Sequence, residues 1–340
     1  MSLTEHTISP WTPCEVDAVL KLYALGRSTR HTAALSEVGW DAHRARCRVR
    51  TDRGEWFLKK HHPSVFRPEQ HRVVHEFAAV GGRAPEIIAL PSGETWLDIG
   101  EAYVEVHRVV PGGVPHRPTE REAVEAVRQV ALLHRVPVDT IPREWSGWYR
   151  AIDTRRLIPE TIDRMRSIGT ANGELEAFLD TELAFDPETD APDPVPVHGD
   201  LWRGNWVADR GHIAALTDFD WLHRGSPMED LADVILAFAS NRDVSPDDAP
   251  LVEPPNAVLT DRVVLMLREY ECVRGSLSSE SRRLMPDMLR SLWLRHTAWI
   301  VRELDSPLHL QIALARAMEF RNWFHEVLPT VLRQWSEKTD

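Results

Sequence analysis

The hydrophobic periodicity of this chain changes character once, near residue 111, and that change narrows the choice of folds more than any other feature. Before it, the pattern has the two-residue period of strands. Across residues 43–51, Ala45, Cys47 and Val49 take one face and Arg44, Arg46, Arg48 and Arg50 the other. Asp52-Arg53-Gly54 is a turn signal and residues 55–60 form a second strand, so the two make a hairpin. Residues 68–80 read as a helix stopped by Gly81-Gly82. Residues 95–99 and 102–110 read as further strands, ended by Pro111-Gly112-Gly113. Beyond that point the period lengthens. Thr119 and Glu122 form a capping box, and Val124, Val127, Ala131 and His134 share one helical stripe. Residues 261–272, 279–303 and 308–335 read as amphipathic helices, with Pro286 marking a first turn or a kink. Strands first and helices afterwards predict an α+β fold of two lobes, residues 1–110 and 111–340.

Composition excludes several classes. Of 340 residues, 43% are apolar and 27% charged, which is the profile of a globular protein. No apolar stretch approaches the roughly 20 residues that span a bilayer, so no membrane partner is expected. The first residues lack the apolar core of a secretory signal. Three scattered cysteines (Cys14, Cys47, Cys272) fit a reducing cytoplasm and exclude a disulfide scaffold or a Cys-rich zinc module.

The net charge of −12 argues against a general nucleic-acid binder. Its position says more. Residues 1–110 hold 14 basic and 14 acidic side chains, so the whole excess lies in residues 111–340. Residues 171–260 alone hold 4 basic and 19 acidic side chains. Such a field attracts a cation, either a metal or an amine, although it equally describes a solvated acidic surface. The arginines at 44, 46, 48 and 50 read as a solvated strand face, since the lobe around them is neutral. His61-His62 has no further ligands at metal-binding spacing.

The chemistry concentrates in residues 194–233. Val195 to Val197 is a short apolar strand that delivers His198-Gly199-Asp200 into a loop. Asn205 lies five residues beyond Asp200. Trp206-Val207 begins a strand, Asp209-Arg210-Gly211 turns it, and residues 213–217 return. The hairpin brings Asp218 back beside Asn205. Asp200, Asn205 and Asp218 thus converge, with Asp220 close by. A hard divalent cation such as Mg²⁺ takes oxygen ligands of this kind and shares them with substrate phosphates.

The run His198-Gly199-Asp200, then Asn205, then Asp218 resembles the catalytic segment of the protein-kinase-like fold. With glycine after the histidine, it is similar to the aminoglycoside phosphotransferase and choline kinase superfamily, which includes homoserine kinase type II and bacterial stress-response kinases. Asp218, Gly225, Pro227, Asp230 and Leu231 fall in register with that superfamily's second motif, while Thr217 and Ser226 depart from it. Trp56-Phe57-Leu58-Lys59 looks like its lysine-bearing strand, and residues 108–112 look like its hinge. Residues 131–134 match its L-x-x-L-H helix. The resemblance covers about residues 35–335.

It implies a bilobal fold with a nucleotide-binding first lobe and a catalytic, acceptor-binding second lobe. It implies ATP and Mg²⁺ as cofactors and phosphoryl transfer to a small-molecule hydroxyl. Asp200 would orient the acceptor hydroxyl and take its proton. Asn205 and Asp218 would hold the metal, with Asp220 holding a second metal or shaping the loop. Lys59 would hold the α- and β-phosphates, while Lys60, pointing the other way, would be solvated. Glu76 would pair with Lys59, with Glu69 an alternative and Val74 the register match to the stress-response kinases. Arg108 and Val110 would meet adenine. His198 and Asp230 would support the catalytic loop, and His134 would be a satisfied core histidine.

Two departures stand out, beside four candidates for the acceptor pocket. The phosphate-covering loop, residues 37–44, holds only Gly39. Trp202-Arg203 replaces a frequent His-Pro. Trp293, Arg295, His296 and Trp299 lie where the superfamily builds acceptor pockets. The acceptor is left open among aminoglycosides, choline, amino alcohols, amino acids, sugars and protein Ser/Thr; the acidic second lobe favours an amine. A non-catalytic nucleotide-binding scaffold is the alternative from another class.

Overall fold

A computed structural model describes residues 8–34, 44–145, 193–239, 258–303 and 321–336, with isolated helical positions between 159 and 177 and at 308 and 315; at 30–34 and 294–303 it describes the backbone alone. The chain divides into two compact units. One comprises Met1–Glu76 and Arg83–Pro111, the other Phe77–Gly82 and Gly112–Asp340. The fold is protein-kinase-like, with a strand-rich N-terminal region and a helical C-terminal region.

The first unit is built on a five-stranded antiparallel sheet. Its strands are β1 (Ser28–Ala34), β2 (Arg44–Thr51), β3 (Gly54–His61), β4 (Leu97–Asp98) and β5 (Tyr103–Arg108), in the order β1-β2-β3-β5-β4. The 43–51 alternation is realised in β2. Ala45, Cys47 and Val49 are buried, while Arg48 and Arg50 are exposed and ion-pair with Glu55. Helix α1 (Pro13–Leu22) covers the buried face through Val16, Val19 and Leu20. It starts at a capping box in which Thr12 accepts from Glu15 N while Glu15 accepts from Thr12 N, and Pro13 occupies the first turn. Helix α2 (Gln70–Ala79) ends where Gly82 N donates to Phe77 O.

Helix α1 corrects the reading of Lys60. Its ammonium is not solvated: the residue is 2% exposed, its Nζ lies 2.8 Å from Glu15 Oε1, and it sits over the Trp11 ring at 4.7 Å. Lys60 shares its face of β3 with Trp56 and Leu58, the face that α1 buries. The acid that opens α1 neutralises it there.

The second unit holds α3 (Glu120–Leu133), α4 (Pro227–Phe238), α5 (Thr260–Arg274), α6 (Ser279–Glu303) and α7 (Leu328–Ser336). Thr119 and Glu122 form the expected capping box on α3. Pro286 lies inside α6. Two small sheets carry the site: β6 (Val195–Val197) pairs with β9 (His223–Gly225), and β7 (Trp206–Asp209) pairs with β8 (His212–Leu216). Gly113 exchanges both backbone hydrogen bonds with Ala208 of β7, at 2.9 and 2.7 Å. A Cβ on Gly112 would lie 2.4 Å from Ala208 O, and its φ is +133°, so glycine is required at the start of this unit. No helix among the described residues is long and apolar enough to cross a membrane.

Candidate active site

Within the second unit, β6 ends at Val197, and the chain passes His198 and turns through Gly199. Two constraints make that residue glycine. Its φ is +78°, and a Cβ would sit 2.9 Å from Trp221 O and 3.1 Å from the His223 ring. The loop is fastened from below by α4. Asp230 Oδ2 accepts from His198 N at 2.8 Å, Asp230 Oδ1 accepts from Gly199 N at 3.0 Å, and Asp233 Oδ2 accepts from Leu201 N at 2.5 Å. These backbone donors have no strand partner, and carboxylates are strong acceptors for them.

Asp200 lies half-buried beyond this anchor. Asn205, itself buried, donates its Nδ2 to both Asp200 O and Asp200 Oδ2 at 2.8 Å. With both donors turned to Asp200, the Asn205 amide presents its Oδ1 as the remaining acceptor. Asn205 O accepts from Thr217 N at 2.9 Å and Thr217 Oγ1 at 3.0 Å. The β7–β8 hairpin therefore returns the chain to Asn205 immediately before Asp218. Asp218 is held at φ +63°, ψ +64°, a left-handed conformation that an L-residue other than glycine adopts at a cost of about 1–2 kcal/mol. It reverses the chain into the short helical turn Phe219–Trp221, where Asp220 is buried. An Asn oxygen and two carboxylates are the hard donor set that suits Mg²⁺.

Behind the loop runs a buried relay. His134 Nε2 lies 3.0 Å from Asp230 Oδ2, and His134 Nδ1 lies 2.7 Å from Tyr270 Oη. Burial raises the Asp230 carboxyl, but its hydrogen bonds, led by the one from His134, outweigh it and hold Asp230 below the usual range. Burial pushes the Tyr270 phenol upward, so it keeps its proton and donates to Nδ1, while Nε2–H donates to Asp230. His134 is thus a satisfied core residue. His198 packs on Phe219 at 4.8 Å, with Nε2 3.1 Å from Thr217 O and no hydrogen-bond partner for Nδ1 among the described residues.

Burial pushes both His134 and His198 below the ordinary imidazole range. Because both folded values are depressed, the stability these neutral rings carry is complete above about pH 6.5, the unfolded value, and is lost as pH falls below it. The unfolded chain then binds up to two more protons, a slope of up to about 2.7 kcal/mol per pH unit. Urea midpoints measured from pH 8 to 5 are expected to hold at the upper end and fall below about pH 6.5. A midpoint that is flat across that interval contradicts the assignment.

Arg203 stands out in the sequence only as a departure, and the structure gives it a role. It is buried, with Nε 2.5 Å from Ala237 O and Nη1 3.1 Å from His116 O, so it ties the loop to the end of α4. Trp202 is exposed and lies over Gly204, where a Cβ would meet its ring at 2.2 Å. Trp293 is buried in core against Phe324, at 5.5 Å. The side chains of Arg295, His296 and Trp299, and residues 37–43 of the sparse glycine loop, lie outside the described residues.

In the first unit, Lys59 faces Glu105 in register across β3 and β5, with Nζ 3.8 Å from Oε1. Glu76 is half-buried on α2 and Glu69 is exposed. At the end of β5, Arg108 N donates to Glu86 O at 2.9 Å and Val109 N donates to Glu55 O at 3.0 Å. The Arg108 side chain pairs with Glu86 and lies over the Trp56 ring at 4.8 Å. Any base met at Arg108 would therefore use its carbonyl.

Residues 34–254 match the phosphotransferase enzyme family. Structural likeness extends further. An aminoglycoside phosphotransferase from Alicyclobacillus acidocaldarius subsp. acidocaldarius DSM 446 aligns with a TM-score of 0.66 at 13% identity, over 98% of this chain and 99% of that one. A choline kinase from Cryptosporidium parvum Iowa II aligns at 0.57 and 12% identity, over 89% and 91%. A spectinomycin phosphotransferase solved with ADP and spectinomycin aligns at 0.56 and 11% identity, over 98% and 96%. At such identities the likeness is one of fold. No curated protein sequence matches the chain.

Proposed function

Because the chain belongs to the phosphotransferase enzyme family, we propose that it is a cytoplasmic kinase that uses ATP and Mg²⁺ to phosphorylate a hydroxyl of an amine-bearing small molecule. The observation that carries this reading is the clamp of Asn205 on Asp200, which commits the amide's donors to Asp200, leaves the amide oxygen as an acceptor and keeps a carboxylate at the loop tip. Asp200 orients the acceptor hydroxyl and takes its proton as the phosphoryl group arrives. Asn205 and Asp218, with Asp220, would hold the magnesium, which supplies charge neutralisation to the transferring group. Residues 1–110 supply the nucleotide contacts: Lys59 for the α- and β-phosphates, the Arg108 carbonyl and Val110 for the base, and Glu76 of α2 as a carboxylate that would pair with Lys59.

The amine in the acceptor is argued from charge. The entire −12 excess falls in residues 111–340, the half that carries Asp200. Most transition-state stabilisation in such a reaction comes from positioning and charge, so a cationic acceptor would be drawn and held by that field. The names of the similar structures, an aminoglycoside phosphotransferase and a choline kinase, point to acceptors of the same class.

The test is ADP release from Mg²⁺–ATP across aminoglycosides, choline, amino alcohols and hydroxy-amino acids, beside neutral sugars and a Ser/Thr peptide. Turnover is expected with an amine-bearing member and is expected to vanish with EDTA. A neutral sugar or the peptide as the best acceptor would overturn the amine. ATP binding with no turnover on any acceptor would mark a nucleotide-binding scaffold.

A further inference from the structure

The first unit contains a cluster that the family motifs do not foretell. Glu105, in the middle of β5, is 1% exposed. Its Oε1 lies 3.1 Å from His61 Nε2 and 3.0 Å from His107 Nε2, and its Oε2 lies 2.5 Å from His71 Nε2. His71 is fixed in turn, with Nδ1 2.7 Å from Thr95 Oγ1. Three elements (β3, α2 and β5) thus hold one carboxylate in place. Burial opposes its ionisation, but His107 and His61 overcome that and keep the group well below the usual carboxylate range. The charge is therefore present and immobile.

Lys59 lies beside it, also buried, at 3.8 Å. That separation is an ion pair and exceeds a hydrogen bond. Glu105 hydrogen-bonds to His61 and His71 and offers Lys59 charge. A buried pair of this kind adds little net stability, because both ions lose hydration. Stability alone therefore gives no reason to gather a lysine, a glutamate and three histidines at one place. Function does. A lysine that must receive phosphate oxygens needs a fixed counter-charge when they are absent, and that counter-charge must not compete by a short hydrogen bond when they arrive.

We infer that Glu105, clamped by His61 and His71, is the residue that positions Lys59 for the phosphates of the nucleotide. The inference deepens the proposed function and rests on its reading of Lys59 as a phosphate ligand. Glu105 is a positioning residue: it acts through Lys59 and touches no reacting atom.

The experiment compares ATP with adenosine, which has the base and no phosphates, by calorimetric titration of the full chain. Glu105→Gln is expected to weaken ATP binding about tenfold, roughly the loss of one well-placed charge contact, and to leave adenosine unchanged. A purely structural glutamate would weaken both ligands together. Glu105→Asp keeps the buried charge but draws it back along the side chain, away from Lys59, so it serves where the glutamine variant does not fold, with the same direction of split and a smaller size. If Lys59→Ala loses the preference for ATP while both Glu105 variants keep it, the inference is overturned and the reading of Lys59 stands. If the unsubstituted protein shows no preference for ATP over adenosine, the reading of Lys59 fails and the inference falls with it.

Discussion

Asp200→Asn is expected to bind ATP as the unsubstituted protein does and to lose roughly 10²–10⁴-fold in turnover. The substitution is nearly isosteric, and the surroundings can absorb it. The bond from Asn205 Nδ2 to Asp200 O involves backbone and persists, and the bond to Oδ2 can be remade to the new amide oxygen. The anchors through Asp230 and Asp233 involve backbone donors of His198, Gly199 and Leu201 and are untouched. What disappears is the ability to take a proton, since an amide is not a base at neutral pH. Calorimetry with ATP and ADP release with the best acceptor of the panel would measure the two halves separately. Turnover within twofold of the unsubstituted protein would show that Asp200 does not take the proton.

Asp230→Ala is expected to destabilise the second unit by about 3–5 kcal/mol, the cost of breaking a buried charged network by removing one partner. The carboxylate accepts from two backbone N–H groups and from His134 Nε2 in a fully buried site. Alanine would leave all three donors without a partner, and each orphan costs about 1–3 kcal/mol before relaxation. Asp230→Asn keeps the volume and one acceptor oxygen but sets an N–H against donors, so its effect should fall between the two. Urea unfolding at neutral pH gives the difference from the midpoint. A loss below about 1 kcal/mol would mean that other contacts secure the loop.

The same network separates what a chain states locally from what it leaves to packing. The order His198, Asp200, Asn205, Asp218 is local, held within one loop and one hairpin. The turn at Arg210-Gly211 sets Asp209 opposite His212, and a register shift between Val207 and Ala208 then brings Trp206 opposite Leu216. Convergence of those residues is therefore legible in the sequence. The partners of the loop are less so. His134 and Tyr270 sit on helices whose relative placement no local pattern encodes; the His134–Asp230 separation is 96 residues and the His134–Tyr270 separation is 136. Arg203 is visible only as a departure from a motif, because its acceptors are backbone carbonyls of His116 and Ala237, and a carbonyl leaves no mark in sequence.

The first unit divides in the same way. The two-residue period of β2 and β3 correctly separates the faces, placing Lys59 and Lys60 on opposite sides. It does not say what covers each face. Thr12, Pro13 and Glu15 carry a helix-start signal that announces α1, but which face of the sheet that helix covers, and hence the burial of Lys60, is settled by packing. No comparable signal exists for Glu105. Its imidazoles come from positions 34 and 44 residues upstream and from two residues downstream on the same face.

By itself, then, the sequence determined the element types, the strand-then-helix order and the assembly of Asp200, Asn205 and Asp218, because each depends on neighbours within about one hairpin. Tertiary structure alone decided that Glu105 stands beside Lys59, that Lys60 is buried, and that Asp230 links the loop to α3 and α5. Those outcomes depend on which surfaces pack together, and burial turns an ordinary charged side chain into one that must find a partner wherever the fold supplies it.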